Sequence, residues 1–389
     1  MLILHRITKK LLHMIRRSIF DIIKKQLFKS KVILVFGARR VGKTYLCKEI
    51  IKEMGGTYYN CELSQVYEAL NSSNQNDLFQ LLKDQKLVVF DEAQTVPKIG
   101  IKLKVMVDHF PNVQIIATGS SAFELRDATS EPLTGRSRTY ILHPFSMEEV
   151  AMNSSLFEAQ THLDTILRFG LYPQVFKQSD MEMREELFDI SSNYLYKDIL
   201  HFGQVKKPEL IQEILKLLAL QIGNEVSLNE LSKITQTSIH TIKRYINLLE
   251  QTYVITSLKS YSTNARKELG KSKKYYFNDL GIRNAIINNF NPLSLRNDVG
   301  NLWENFCMIE RIKFNNNSRN FINPYFWRNY DQQEIDLIEE SGGSIKAFEF
   351  KYKENQKTKI PNAFVKLYGN VEFKKINKQN YMSFVTSIV

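Results

Sequence analysis

The chain begins with apolar residues at helical spacing. Leu11, Leu12, Ile15, Ile19, Ile22, Ile23 and Leu27 recur among Lys9, Lys10, Arg16, Arg17, Lys24 and Lys25, the pattern of a basic amphipathic helix. Such a helix packs its apolar face on its own domain or lies on a membrane surface; packing is the expected use. The period then changes. Val32–Phe36 is a short β-branched, apolar run, as in a buried parallel strand, and a helix is expected from about Lys43 to Glu53. Strand-like runs follow at TYYN (57–60), LVVFDEAQ (87–94), VQIIATGSS (113–121) and RTYIL (138–142). Five strands alternating with helices predict one doubly wound parallel sheet, an α/β architecture.

From 148 to about 222 the pattern is mostly helical. Leu187, Ile190, Tyr194 and Leu195 share one face, as do Ile211, Ile214, Leu215 and Leu218. In 226–255, Leu228, Leu231 and Ile234 mark a short helix, and Ser238 is a natural N-cap for the next. Ile239, Ile242, Ile246 and Leu249 form its buried stripe. His240, Thr241, Lys243, Arg244 and Asn247 lie on the other face, suited to phosphates and base edges. VITSLKSY and KKYYFN then flank a basic loop with Arg266, Lys267, Lys271 and Lys273. Helix–turn–helix plus a basic hairpin describes a winged helix, a fold that contacts DNA or serves as a protein–protein spacer.

Composition narrows the partner. At 389 residues and 43% hydrophobic the chain is long enough for two or three cores. A net charge of +12 favours an anionic partner, nucleic acid first and an acidic membrane surface second. Cys47, Cys61 and Cys307 are far apart, which excludes a disulfide framework and a cysteine-based zinc site and fits a reducing, cytoplasmic setting. No stretch reaches the ~20 apolar residues of a membrane span, and the first apolar run is too short for a signal peptide.

The chemistry starts at Gly37–Thr44, GARRVGKT, which fits G-x-x-x-x-G-K-S/T between a strand and a helix. The backbone of Gly37, Ala38, Arg39, Arg40, Val41 and Gly42 can wrap ATP phosphates, with the helix dipole behind it. Lys43 can reach the β- and γ-phosphates, Thr44 can ligate Mg²⁺, and Tyr45 follows in the first helical turn. Asp91 ends the third strand where an open α/β sheet places its ligands and is expected to hold Mg²⁺ through water. Glu92 is placed to polarise the attacking water, which points to hydrolysis. Thr118 or Ser120 could sense the γ-phosphate. Arg136 or Arg138 could stabilise the transferring phosphoryl group, in its own subunit or a neighbour's.

GARRVGKT, FDEAQ, TGSS and LTGR, in this order, resemble the prokaryotic AAA-type ATPases with a C-terminal domain of unknown function 4143. The resemblance continues through GLYP (170–173), YLYKDIL (194–200), KKYYFNDLGI (273–282) and GNLWENF (300–306), and so covers nearly the whole chain. Phe169-Gly170 stands where these proteins usually carry a second glycine before the aromatic–proline pair, which reads as a packing change. The resemblance implies an AAA-type ATP-binding core, a helical and winged-helix middle, and a nuclease-like C-terminal fold. Its members often form rings with arginines supplied in trans, so a homo-oligomer is among the expectations.

The C-terminal residues carry their own signal. GNLWENFCMIERI (300–312) reads as a helix with Leu302, Phe306 and Ile309 buried and Glu304 near that side, where a carboxylate needs a partner. PYFWRN, EIDLI and IKAFEFKYK follow as strands. This is the layout of the restriction-endonuclease-like fold. Glu349 and Lys351, two apart, face one side, with Asp336 on the neighbouring strand. Asp336 and Glu349 are expected to hold a second Mg²⁺ or Mn²⁺, with Glu304 as a further or water-mediated ligand, and Lys351 to orient the attacking water.

The expected organisation is an ATPase core with its N-terminal helix at 1–147, a helical connector at 148–222, a winged helix at 223–283 and a restriction-endonuclease-like domain at 284–389. Two functions fit: an ATP-hydrolysing protein acting on DNA, or a nucleotide-controlled module that docks a protein partner through an inactive nuclease-like fold.

Overall fold

The computed structural model describes residues 15–72, 74–120, 133–194, 207–262, 273–369 and 371–388. Two compact units emerge: Arg16–Pro144 with Gln251–Tyr253, and Phe145–Glu250 with Val254–Val389.

In the first unit, α1 (Ser18–Lys24) buries Ile19, Phe20 and Ile23, so the apolar face of this stretch packs on protein; Ile22 is only half-buried. Leu11, Leu12, Lys9 and Lys10 lie outside the described residues. The five strands β1 (Val32–Phe36), β2 (Thr57–Asn60), β3 (Leu87–Asp91), β4 (Gln114–Gly119) and β5 (Ser137–Ile141) form one sheet in the order β2-β3-β4-β1-β5, with every pair parallel. β1, β3 and β4 are buried along their whole length, which is why they read as continuous apolar runs. Helix α2 (Lys43–Met54) follows β1, and α3 (Ile99–His109) precedes β4. Crossover helices on a parallel sheet leave the carboxyl ends of the strands as the ligand edge.

The second unit holds α4 (Pro208–Leu220), α5 (Leu228–Ile234), α6 (Ile239–Gln251), α7 (Leu280–Ile286) and α8 (Val299–Asn317). Its strands are β6 (Glu225–Val226), β7 (Ile255–Ser260), β8 (Lys273–Phe277), β9 (Asn323–Arg328), β10 (Glu334–Ser341), β11 (Ser344–Phe350) and β12 (Glu372–Ile376). They make one mixed sheet in the order β12-β11-β10-β9-β7-β8-β6. The hairpin expected to be a wing is therefore continuous with the C-terminal strands: β7 pairs with β8 antiparallel and with β9 parallel. For that reason the segments 148–222, 223–283 and 284–389 fall in one unit with a shared core. Leu167, Tyr276, Trp303, Phe306, Phe348 and Tyr381 all belong to that core.

Local readings survive with small shifts. In α4, Ile211, Ile214, Leu215 and Leu218 are buried. Ser238 Oγ accepts the Thr241 N–H at 3.2 Å, as an N-cap does. In α6 the stripe runs through Ile242, Tyr245, Ile246, Leu248 and Leu249, while Ile239, at the first turn, is exposed. Arg266, Lys267 and Lys271, and Leu195 of the other helical stripe, lie outside the described residues. Among the described residues no helix is long and apolar enough to cross a membrane.

Candidate nucleotide site and acidic cleft

The loop at the end of β1 is fixed by sterics. A Cβ on Gly37 would lie 2.1 Å from the Leu142 carbonyl oxygen, so no side chain passes there. Gly42, which leads into α2, has φ 99°, and Arg40 sits at φ 63°, left-handed backbone that glycine adopts freely and arginine does not. Lys43 is buried, and its ammonium donates to the carbonyl oxygens of Gly37 at 2.9 Å and Ala38 at 3.0 Å. The lysine thus spans the loop it belongs to. Arg39 and Arg40 are half-buried. Tyr45 turns along the helix, donating to Glu49 Oε1 at 3.0 Å; burial and then Glu49 push its hydroxyl up to about 12.

Asp91 is buried at the end of β3 and gathers three hydroxyls. Thr44 Oγ1 donates to its Oδ2 at 2.6 Å and the Tyr58 hydroxyl to the same oxygen at 2.5 Å. Thr118 donates to Oδ1. Burial first, then the hydrogen bond to Asp91 and its charge, hold the Tyr58 phenol protonated far above its usual range. β4 lies between β1 and β3, so Thr118 stands between loop and carboxylates. The Thr118 hydroxyl oxygen also accepts the Glu92 N–H at 3.1 Å. Glu92 has φ 53°, a strained setting of the kind that gathers at functional sites. Its Oε2 accepts from Gln94 Nε2 at 2.6 Å, and the same amide reaches Ser120 Oγ at 3.3 Å. Lys43, Thr44, Asp91, Glu92, Thr118 and Ser120 are therefore brought to one edge of the sheet. Thr44 and Asp91 present hard oxygen donors side by side, a set that fits Mg²⁺.

The arginines stand elsewhere. Arg136 donates through Nε to Asp108 Oδ1 at 2.7 Å, and its carbonyl accepts the Val32 N–H. Val32 starts β1 and the loop follows its end, so within one chain Arg136 is roughly 16 Å of strand away from the loop. Arg138 pairs with Ile33, in the same half of the sheet. Sequence reasoning missed the arginine that does touch the loop. Arg17, buried, donates at 2.6 Å to Val41 O through Nη1 and at 2.6 Å to His143 O through Nη2. It lies in a basic run that gives no hint which member turns inward. Tyr58, too, was read only as part of a strand.

In the second unit, Glu304 of α8, Glu334 and Asp336 of β10 each place a carboxylate oxygen within 4.8 Å of the others. Asp336 accepts the Phe350 N–H at 2.7 Å. Glu349 is turned to Lys351, whose Nζ lies 2.6 Å from Glu349 Oε1. The expected trio of Asp336, Glu349 and Glu304 is thus rearranged: Glu334 takes the near position and Glu349 pairs with the lysine. Glu334 was readable, since it stands two residues before Asp336 on one strand face. Lys274 was not read as part of this site. It is buried, its Nζ is 2.9 Å from Glu304 Oε1, and it also pairs with Glu334. The Tyr276 hydroxyl donates to the same Glu304 oxygen at 2.8 Å.

The electrostatics follow from crowding. Burial, then Glu304 and Glu349, push the Asp336 carboxyl well above the usual carboxylate range. Burial also raises Glu349, against the pull of Lys351. Burial alone would lower Lys274 and Lys351; the carboxylates around each more than offset it and raise both. Glu304, Asp336, Lys351 and Lys353 line an open cleft of about 760 Å³.

Family models match the chain in three stretches. An AAA domain covers residues 29–151, a domain of unknown function 8612 covers 160–293, and a domain of unknown function 4143 covers 299–385. The middle match runs across both the connector and the helix pair with its hairpin. An uncharacterised protein of Mycobacterium tuberculosis is 25% identical over 342 residues, 86% of this chain and 74% of that protein. An uncharacterised protein of Haemophilus influenzae is 25% identical over 305 residues, 72% of this chain and 74% of that one. Among solved structures, the Pif1 helicase of Candida albicans aligns with 45% of this chain and 48% of its own, at 13% identity and a TM-score of 0.27. The order of the matches, AAA domain first and domain 4143 last, is the one the sequence resemblance implies for an AAA-type ATPase with a C-terminal domain of unknown function 4143.

Proposed function

We propose that this protein hydrolyses ATP with Mg²⁺ and acts on DNA through its second unit. The observation that carries the reading is the convergence of Lys43, Thr44, Asp91 and Glu92 on one edge of the parallel sheet. Gly37–Gly42 wraps the phosphates, Lys43 turns from the loop carbonyls to the β- and γ-phosphates, and Ser120 and Thr118 stand near the terminal phosphate. Glu92 orients the attacking water. Mg²⁺, held by Thr44 and through water by Asp91, supplies charge neutralisation as the phosphoryl group transfers. Arg136, remote from the loop of its own chain, would act on the phosphates of a neighbouring subunit in a homo-oligomer.

The DNA reading rests on charge and on α6. His240, Lys243 and Asn247 are exposed on one face of that helix, and the chain carries a charge of +12. With α5 before it and β7–β8 after it, the segment has the elements of a winged helix. In the cleft, Asp336, Glu304 and Glu349 offer oxygen donors suited to Mg²⁺ or Mn²⁺, with Lys351 beside Glu349 to orient a water.

A second reading, a nucleotide-controlled module that docks a protein through an inactive cleft, is favoured by Lys274, whose ammonium already neutralises two of the carboxylates. DNA binding measured across salt separates the two, because phosphate contacts release counterions and affinity then falls steeply with salt. The expected result is a roughly tenfold or greater loss between 50 and 200 mM salt, reduced by Lys243→Ala. Absent or salt-independent binding would move the account to the protein partner.

A further inference from the structure

We propose that Lys274 is the built-in cation of the acidic cleft, and that its ammonium and a divalent metal exclude one another there; this deepens the nuclease-like reading and rests on it. Lys274 comes from β8, outside the strands that carry Asp336 and Glu349, the second of which ends just before Lys351. Its ammonium pairs with Glu304 and Glu334, two of the three carboxylates whose oxygens converge. Those are oxygens a divalent ion would need. An ion at 2.0–2.6 Å from such oxygens would sit within about 5 Å of an ammonium hydrogen-bonded to them. At that separation two cations in a buried site repel strongly even at an effective dielectric of 20.

The lysine is well held. Its ammonium lies 5.6 Å from the Phe326 ring centroid. Tyr276, two residues on along the same face of β8, fixes the shared Glu304 oxygen. Asn305 locks the strand itself, accepting the Phe277 N–H at 2.8 Å and donating to the Phe277 carbonyl at 2.9 Å. β8 therefore does not shift to vacate the site. Metal entry requires the Lys274 side chain alone to swing out or to be removed. The charge tally points the same way. Glu304, Glu334, Asp336 and Glu349 face Lys274 and Lys351, with Arg328 Nε farther off at 3.7 Å from the second oxygen of Glu334. Deleting Lys274 leaves the inner carboxylates without their nearest positive charge, and a divalent cation is the natural replacement.

The test is Mn²⁺ binding to the full chain without nucleotide, read as the loss of the free-ion electron paramagnetic resonance signal. Wild type is compared with Lys274→Met, Lys274→Gln, Asp336→Asn and Lys274→Gln/Asp336→Asn, each checked for folding by circular dichroism. Lys274→Gln keeps a polar partner for Glu304 and covers the case in which Lys274→Met fails to fold. The expected result is one Mn²⁺ per chain gained, at least tenfold tighter than in wild type, and lost again in the double variant. Wild-type binding that Asp336→Asn abolishes and neither Lys274 variant strengthens would overturn the exclusion and leave the cleft a metal site. No Mn²⁺ bound by any folded variant would overturn both the exclusion and the metal-holding cleft.

Discussion

Thr44 Oγ1 and Asp91 Oδ2 lie 2.6 Å apart, although 47 residues separate them in the chain. This hydrogen bond ties the phosphate-loop strand to the carboxylate strand across an intervening strand. Lys43 precedes Thr44 and crosses the loop. Lys43→Ala should therefore weaken nucleotide binding at least 100-fold, the loss of a charged hydrogen bond of about 3 kcal/mol. Titration with a fluorescent ATP analogue reads this; an affinity within threefold of wild type would place the phosphates elsewhere.

Arg136 gives a prediction about assembly. It pairs with Asp108 at the edge of the sheet opposite the loop. Arg136→Ala should leave ATP turnover within about twofold at concentrations where the protein is monomeric, and should lower it only where subunits associate. A 100-fold loss in the dilute monomer, about 2.7 kcal/mol of transition-state stabilisation, would show that the arginine reaches the loop of its own chain.

Two glycines test the packing of the second unit. A Cβ on Gly281 of α7 would lie 2.2 Å from the Phe169 carbonyl oxygen, whereas nothing lies within 4 Å of one on Gly300 of α8. Gly281→Ala should cost roughly 3 kcal/mol or more, or prevent folding. Gly300→Ala should be neutral or stabilise by about 0.5 kcal/mol. Thermal unfolding ranks them, and equal effects would contradict the close approach of α7 to the chain at Phe169.

The pH dependence has a defined sign at Asp298. Burial alone would raise its carboxyl; hydrogen bonds from Arg296 and Arg283 overcome this and hold it at about 2, below the usual 3.8. A depressed carboxylate contributes stability that is present above its unfolded value and lost as pH falls toward the folded one. Asp298→Asn should lose roughly 2 kcal/mol near neutrality, and the gap to wild type should close between pH 4 and 2. A gap that stays constant over that window would remove the ionic contribution.

Legibility in the sequence followed the range of the interactions. Gly37–Thr44 was readable because a strand, a turn and a helix start lie within a few residues, and their chemistry is local. The central strands β1, β3 and β4 were readable because each is buried along its whole length and so reads as a nearly unbroken apolar run. The single sheet joining β7 to β9 was not, because strand pairing over 65 residues leaves no periodic mark. Lys274 was hidden for the same reason: Glu304 lies 30 residues away in sequence. What did show was that Glu304, near a buried face, needed a partner; the sequence could not say which of many lysines supplies it. Arg17 has the same history beside the phosphate loop.

The most direct measurement is ATP binding and turnover by Glu92→Gln, run side by side with wild type. Glu92 sits at the end of the carboxylate strand, its N–H tied to Thr118 and its carboxylate to Gln94. The account predicts unchanged ATP affinity with turnover reduced at least 100-fold, because the amide keeps the shape and loses the base. Normal turnover in Glu92→Gln would contradict it and remove Glu92 from the chemistry.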